Sequence, residues 1–131
     1  MIIVDTTVWV DYLRGTRTSH ADWLDSQLAS ERFGLTDLIL CEVLQGITST
    51  KRFGEVQKEL LNLAVFETGT IDIAVEAAQN YRRLRAAGRT VRKTIDSLIA
   101  TFCLMEGYSL LHNDRDYDPF EDVLGLKVIH P

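Results

Sequence analysis

The opening run Ile2–Val4 constrains the fold of this chain most strongly, because three branched apolar residues follow one another without polar alternation. Such a run is typical of a strand buried on both faces, as in a parallel sheet covered by helices. Asp5, Thr6 and Thr7 follow it directly. Ligands of open α/β sheets bind outside the carboxyl ends of the strands, so Asp5 is predicted to lie at a binding edge. Asp5 is also suited to cap a helix beginning near Val8, since Asp and Thr are both good N-cap residues.

The rest of the chain alternates short apolar runs with helical patterns, which predicts right-handed crossovers and a parallel sheet with helices on both faces. The predicted strands after the first are 32–35, 65–67, 108–111 and 126–129. The predicted helices are 7–13, 20–29, one opened by Thr36-Asp37, 51–63, 71–87, and one from Thr94 that Gly107 ends. The 131 residues are 46% hydrophobic, so we expect a single α/β domain over 1–131.

The charge distribution narrows the possible partners. A formal net charge of −5 argues against a general nucleic-acid binder. Yet six of the 14 basic residues lie within positions 82–93. A basic strip beside an acidic site suits a metal-dependent nuclease, in which carboxylates hold the metal and cations attract phosphate. A solvated helix face is the ordinary alternative for such a strip.

Membrane and redox signals point to a cytoplasmic protein. No apolar run approaches the roughly 20 residues that span a bilayer, so no membrane partner is expected. Cys41 and Cys103 both lie in apolar helical segments. We expect them to be small buried side chains in a reducing compartment rather than a disulfide or a metal pair.

Four further acids lie where the predicted topology brings separate segments to the same edge of the sheet. Glu42 lies within the third helix, Asp96 in the first turn of the helix from Thr94, and Asp114 and Asp116 after the strand 108–111. Four of these acids, Asp5, Glu42, Asp96 and Asp114, are far apart in sequence and can meet in one pocket. Each also has an ordinary explanation: Glu42 can face solvent, and Asp96 can simply stabilise a helix N-terminus, which favours the ionised acid.

An oxygen-only set of this kind indicates a particular class of metal. Several carboxylates in one pocket need a cation to stay ionised together. The chain has no His/Cys set at zinc spacing, so the ligands favour Mg²⁺, or Mn²⁺ in its place. Such an ion can activate water and stabilise the charge that develops on phosphorus.

Four segments together resemble the PIN domain, and most closely the VapC-type toxin nucleases of bacterial and archaeal toxin–antitoxin pairs. They are IIVDTTVW at 2–9, LCEVLQG at 40–46, KTIDSLIA at 93–100 and HNDRDY at 112–117. The resemblance covers essentially the whole chain. It implies a three-layer α/β/α PIN-like fold with a short parallel central sheet, and Mg²⁺-dependent endonucleolytic cleavage of RNA.

The same resemblance implies roles for the acids. Asp5, Glu42, Asp96 and Asp114 would be catalytic. Asp5, Asp96 and Asp114 would bind Mg²⁺, while Glu42 would bind it or orient the attacking water. Asp116 would assist or replace Asp114, and the choice between these two stays open. Cleavage would leave 5′-phosphate and 3′-hydroxyl ends.

Further residues and partners follow from the resemblance. Thr6 would hydrogen-bond the site and hold Asp5. Arg92, Lys93 and Arg115, with Arg89, would steer or clamp the RNA backbone. The protein partner would be an antitoxin that wraps the chain and inserts a basic residue near the acids. A homodimer formed through the helices is also implied.

Two other classes of function compete with the nuclease. A phosphoacceptor signalling domain has a similar α/β build and an acidic Mg²⁺ pocket, but it requires an acidic pair after the first strand and a late Lys at the sheet edge. Here Thr6-Thr7 follows Asp5, and the late strand end carries Asp114. A non-catalytic scaffold of the same fold is the second alternative, and metal binding would discriminate it from a nuclease.

Overall fold

A computed structural model describes all residues, 1–131, as five strands, seven α-helices and one short 3-10 helix. The strands are β1 Ile2–Val4, β2 Phe33–Thr36, β3 Ala64–Phe66, β4 Ser109–Leu111 and β5 Lys127–Val128. The helices are α1 Thr6–Arg14, α2 Ser19–Gln27, α3 Asp37–Gln45, α4 Thr50–Leu61, α5 Ile71–Ala86, α6 Thr94–Glu106 and α7 Asp118–Leu124. The 3-10 helix is Arg115–Tyr117, between β4 and α7.

The five strands form one parallel sheet in the order β3-β2-β1-β4-β5. The first strand is central, with Ile3 opposite Gly34 of β2 on one side and opposite Leu110 of β4 on the other. The predicted α/β fold with a short parallel sheet is therefore confirmed. The order reverses at β1, because the chain first builds outward through β2 and β3 and then returns to β4 on the other side. Such a switch point opens a crevice at the carboxyl ends of the two diverging strands.

The core lies against both faces of the sheet. Ile3, Val4, Leu35 and Leu110 are fully buried, as a strand run without alternation predicts. Helix α6 is buried along Ile99–Cys103, so it is among the most enclosed elements of the fold. Its position matters because its first turn carries Asp96.

Helix α5 buries only part of the face that its sequence pattern predicts. The apolar spacing predicts a buried stripe of Ala74, Ala77, Ala78, Tyr81 and Leu84. Ala77 and Leu84 are buried, but the prediction is wrong for Ala74, Ala78 and Tyr81, which are exposed. The buried positions are Ile73, Ala77, Asn80 and Leu84. Asn80 faces inward because its amide donates a hydrogen bond of 3.0 Å to the Thr101 hydroxyl of α6. This contact turns the exposed alanines to solvent.

One helix and one cysteine differ from the sequence predictions. Helix α7 was not predicted, although Pro119 lies in its first turn and Gly125 ends it in the left-handed region at φ 75°. Cys41 is exposed on α3, contrary to the prediction that it is buried, whereas Cys103 is buried. None of the seven helices combines the length and the hydrophobicity that a bilayer crossing requires.

Candidate active site

The candidate site lies at the crevice between the ends of β1 and β4. Asp5 follows β1 directly, and its backbone N–H donates to the carbonyl of Leu111, at the end of β4, over 2.9 Å. Asp5 is also the N-cap of α1, where its side chain accepts from the Thr7 N–H. The capping role is therefore confirmed, and the same carboxylate stands at the edge of the sheet, where a ligand is expected.

The carboxylate of Asp5 is only 3% exposed and is held from both sides. Its Oδ2 accepts from the Thr7 hydroxyl at 2.7 Å and from the Thr7 N–H at 3.2 Å. Its Oδ1 accepts from the Tyr117 hydroxyl at 2.8 Å. Thr6 bonds a predicted site residue, as expected, but that residue is not Asp5: the Thr6 hydroxyl donates to Glu42 Oε1 at 2.9 Å. The N-cap bonds to the second helical residue, and that residue is Thr7.

Three acids converge closely enough to share a metal ion. Asp96, Asp114 and Asp116 each bring one carboxylate oxygen to within 4.8 Å of the others. We call these three residues the acid cluster. Asp96 is 6% exposed, and its buried Oδ2 has no hydrogen-bond partner. An unpartnered buried oxygen among converging carboxylates fits a hard divalent cation with oxygen ligands. Asp114 and Asp116 both belong to this cluster.

The pKa of Asp96 reflects its burial and the other carboxylates close to it. Burial, together with the charge of Asp5, raises the pKa of its carboxyl from 3.8 to about 7, while Lys93 opposes the shift. The helix N-terminus favours the ionised form of this acid, but burial and the neighbouring carboxylates favour the protonated form. Desolvation and like charge outweigh the helix dipole because the side chain points into the crevice. A bound cation would reverse that balance.

Local hydrogen bonds hold the segment after β4, which carries two acids of the cluster. Asp114 Oδ1 accepts from the Asp116 N–H at 2.9 Å and so caps the 3-10 helix. The Asp114 N–H in turn donates to His112 Nδ1 at 3.1 Å. Burial lowers the pKa of His112, so the ring is kept neutral and able to accept this bond. Burial and the charge of Asp5 raise the pKa of Tyr117 well above 10, so its hydroxyl stays a donor.

Glu42 lies apart from the acid cluster. It is half-buried on α3, and its link to the site runs through Thr6, the neighbour of Asp5. It also borders an apolar groove of about 270 Å³ between α1, α3 and α4, whose lining includes Val10, Leu13 and Ile47. The side chain is therefore partly exposed beside the groove and does not join the three converging acids.

The basic residues near the site differ in whether they pair with acidic side chains. Lys93 Nζ lies 3.9 Å from an oxygen of Asp114 and 3.9 Å from an oxygen of Asp116. Arg89 is paired with Asp122 at 3.1 Å. Arg92 and Arg115 are exposed and form no salt bridge. Only Lys93 of the predicted RNA-contacting residues is therefore seen against the acids.

The site residues that the sequence did not suggest are Thr7, His112 and Tyr117. Thr7 was available from the N-cap rule, which points to the second residue of the helix. The role of Tyr117 had no local signal, since its partner is 112 positions away. The contact of His112 is local, because its partner Asp114 is two residues further along the chain.

Comparison with known proteins defines the class to which this fold and site belong. The family model described as PIN domain matches residues 2–123, so the chain belongs to the PIN-domain family.

Within that family its relatives are VapC ribonucleases. It is 30% identical over 133 aligned positions to VapC ribonuclease Mb1587 of Mycobacterium bovis and to ribonuclease VapC11 of Mycobacterium tuberculosis, covering 98% of this chain and 97% of each relative. Among solved structures, VapBC2 from Rickettsia felis bound to a DNA fragment from its promoter matches with a TM-score of 0.77 at 16% identity, covering 98% of both chains. The two sequence relatives show the family, and the solved structure shows the shared fold.

Proposed function

We propose that this chain is a Mg²⁺-dependent endoribonuclease that acts as the toxin of a toxin–antitoxin pair. The observation that carries the proposal is the acid cluster around the unpartnered oxygen of Asp96, at the switch point of the sheet. The ribonuclease activity named for the sequence relatives supports the choice of RNA as substrate.

The chain offers a distinct task for each acid. Asp96, Asp114 and Asp116 would hold the ion together with Asp5, whose carboxylate is kept in one orientation. When bound, the ion supplies Lewis-acid polarisation of the phosphate and a water of lowered pKa. Glu42 has one oxygen fixed by Thr6, while Oε2 accepts no hydrogen bond from the protein. That free oxygen can orient the attacking water and take its proton.

Cations at the rim would bind the RNA backbone. Arg92 and Arg115 have guanidinium groups free of intramolecular ion pairs, and such groups bind phosphate in a bidentate manner. Lys93 lies close to two acids, so an approaching phosphate would be drawn to the edge of the cluster.

The decisive experiment compares Asp96→Asn with Asp72→Asn. Asp72 is also an acid in the first turn of a helix, but it is exposed at the start of α5. Binding of Mg²⁺ and Mn²⁺ is measured by calorimetry, and cleavage of a single-stranded RNA is followed with Mg²⁺ or EDTA. We expect Asp96→Asn to lose both properties and Asp72→Asn to retain them.

Two results would contradict the proposal. Full Mg²⁺-dependent cleavage by folded Asp96→Asn or Asp5→Asn would show that the metal-site assignment is wrong. Absence of Mg²⁺ and Mn²⁺ binding by the wild-type chain would favour the non-catalytic scaffold.

An antitoxin partner is proposed to occupy the apolar groove next to Glu42. The groove is open and apolar, with Arg14 and Arg52 among its lining residues. A segment seated there would end beside a site acid, so a basic side chain on it could reach the carboxylates. Co-expression with the product of the adjoining reading frame tests this. We expect Ile47→Glu to prevent co-purification, whereas Val123→Glu on α7 leaves it intact.

A homodimer is proposed through the exposed face of α5. Ile71 is 83% exposed and Val75 58% exposed, and they are joined on this helix by Ala74, Ala78 and Tyr81. An apolar face of this kind marks an interaction site. Sedimentation should show a dimer that Val75→Glu converts to a monomer, and a monomeric wild-type chain would contradict the proposal.

A further inference from the structure

We propose that Tyr117 is a positioning residue for Asp5: its hydroxyl fixes the orientation of that carboxylate and thereby sets the metal affinity of the site. The inference rests on the proposed function, since it assigns Asp5 to the metal-binding group. It adds a residue that is itself neither an acid nor a ligand.

Hydrogen bonds hold both carboxylate oxygens of Asp5. Thr7 donates twice to Oδ2, and Tyr117 donates once to Oδ1 at 2.8 Å. Contacts to Oδ2 alone would leave the carboxylate free to turn about that anchor. The bond to Oδ1 removes this freedom, so the remaining lone pairs of both oxygens point in fixed directions. A ligand held in advance gives up less conformational entropy when it binds.

The position of Tyr117 also couples Asp5 to the acid cluster. Tyr117 ends the 3-10 helix that carries Asp116 and that Asp114 caps. Its ring stacks against His112 with centroids 4.8 Å apart, and His112 accepts the N–H of Asp114. One short turn therefore carries two acids of the cluster and also hydrogen-bonds Asp5, the acid that follows β1. The Tyr117 hydroxyl therefore links the acid that follows β1 to the segment that follows β4.

The hydroxyl is not needed for packing. Tyr117 is fully buried, and a phenylalanine ring would fill the same core position. A buried hydroxyl costs free energy unless it is hydrogen-bonded. Its one hydrogen bond in this structure is to Asp5, so the position is suited to orienting that carboxylate.

The test compares Tyr117→Phe with Tyr108→Phe. Tyr108 is half-buried before β4, its ring packs on Phe66 and Phe102, and its hydroxyl forms no hydrogen bond to a site residue. Each full-length variant is stripped with EDTA and titrated with Mg²⁺ and with Mn²⁺ by calorimetry. We expect Tyr117→Phe to bind roughly 10- to 100-fold more weakly, as for other residues that orient metal ligands, and Tyr108→Phe to match the wild type.

A second measurement needs no variant. In the wild-type chain the Tyr117 hydroxyl proton, followed by NMR, should exchange slowly and should shift when Mg²⁺ is added, because its acceptor becomes a ligand. Equal metal affinity in wild type and Tyr117→Phe would overturn the inference while leaving the nuclease proposal intact, and so would a hydroxyl resonance that Mg²⁺ does not move. A wild-type chain that binds neither ion would overturn both.

Discussion

Asp96→Asn should stabilise the metal-free protein at pH 8, although it removes a residue assigned to the site. The ionised carboxylate is buried, close to three other acids, and one of its oxygens has no partner. Asparagine has nearly the same shape and no charge. Removing the charge therefore removes both the desolvation cost and the repulsion, provided that no metal is bound.

The magnitude follows from the raised pKa. The folded chain holds the Asp96 proton up to about pH 7, whereas the carboxyl has an ordinary pKa of 3.8. The folded state therefore binds more protons than the unfolded state between these values, so stability falls as pH rises through this window and is flat above it. At about 1.4 kcal/mol per pKa unit, the whole shift corresponds to roughly 4 kcal/mol, of which about 2–3 kcal/mol develops between pH 5 and pH 8.

The new amide offsets part of this gain. One of its buried polar atoms is left without a partner, at a cost of about 1–3 kcal/mol. The net effect of Asp96→Asn is therefore a gain of about 1–3 kcal/mol at pH 8 and little or no gain at pH 5. With saturating Mg²⁺ the order should reverse, because only the wild type gains stability from the ion.

Urea unfolding in EDTA at pH 5 and pH 8 measures this directly, with Asp72→Asn as the matched control. His112 acts in the opposite direction, because its lowered pKa means that stability is lost as pH falls through the unfolded value of about 6.5. This contribution is common to all three proteins and cancels in their differences. If the difference between Asp96→Asn and wild type is the same at both pH values, burial and neighbouring charge do not raise the pKa of Asp96, and the electrostatic account of the site is wrong.

Two further predictions concern the fold around the site. Gly34→Ala should destabilise the chain by about 1–3 kcal/mol, because the added methyl would lie 2.9 Å from the backbone oxygen of Ala64 on β3. Gly54→Ala lies in an open part of α4 and should stabilise the chain by roughly 0.5–1 kcal/mol. Thermal unfolding compares the two variants, and equal effects would contradict the close approach of β2 and β3 at Gly34. Asn80→Ala should cost about 1–3 kcal/mol in urea unfolding because it leaves the buried Thr101 hydroxyl without its donor, and a neutral result would show that this hydroxyl finds another partner.

The element order was predictable because hydrophobic periodicity is local. The run Ile2–Val4 has no alternation, and the structure makes it the central strand. Element ends were less accurate, since caps set them. Thr36 is the last residue of β2 and also the N-cap of α3, and no periodicity separates the two roles. The buried face of α5 could not be read fully from apolar spacing, because a polar contact between Asn80 and Thr101 orients the helix.

The acids of the site were predictable for a different reason. A parallel sheet sends every strand end to one edge, so Asp5 and Asp114 had to approach each other once the topology was recognised. The supporting contacts were not predictable in this way. The bond from Tyr117 to Asp5 depends on the path of a 3-10 helix, and the charge state of Asp96 depends on how deeply α6 is buried.

The two buried acids Asp5 and Asp96 differ in how far the protein satisfies their carboxylates with hydrogen bonds. Asp5 receives three hydrogen bonds from the protein, so its charge is met in the absence of any ligand. Asp96 Oδ2 receives none, and the repulsion among the acids is concentrated on that side chain. On the proposed function, a cation entering the crevice would gain most at Asp96, and it would meet Asp5 already oriented. Because one acid is fixed in advance and the other is left unsatisfied, we expect ion binding to stabilise the fold with little change in the geometry of the crevice.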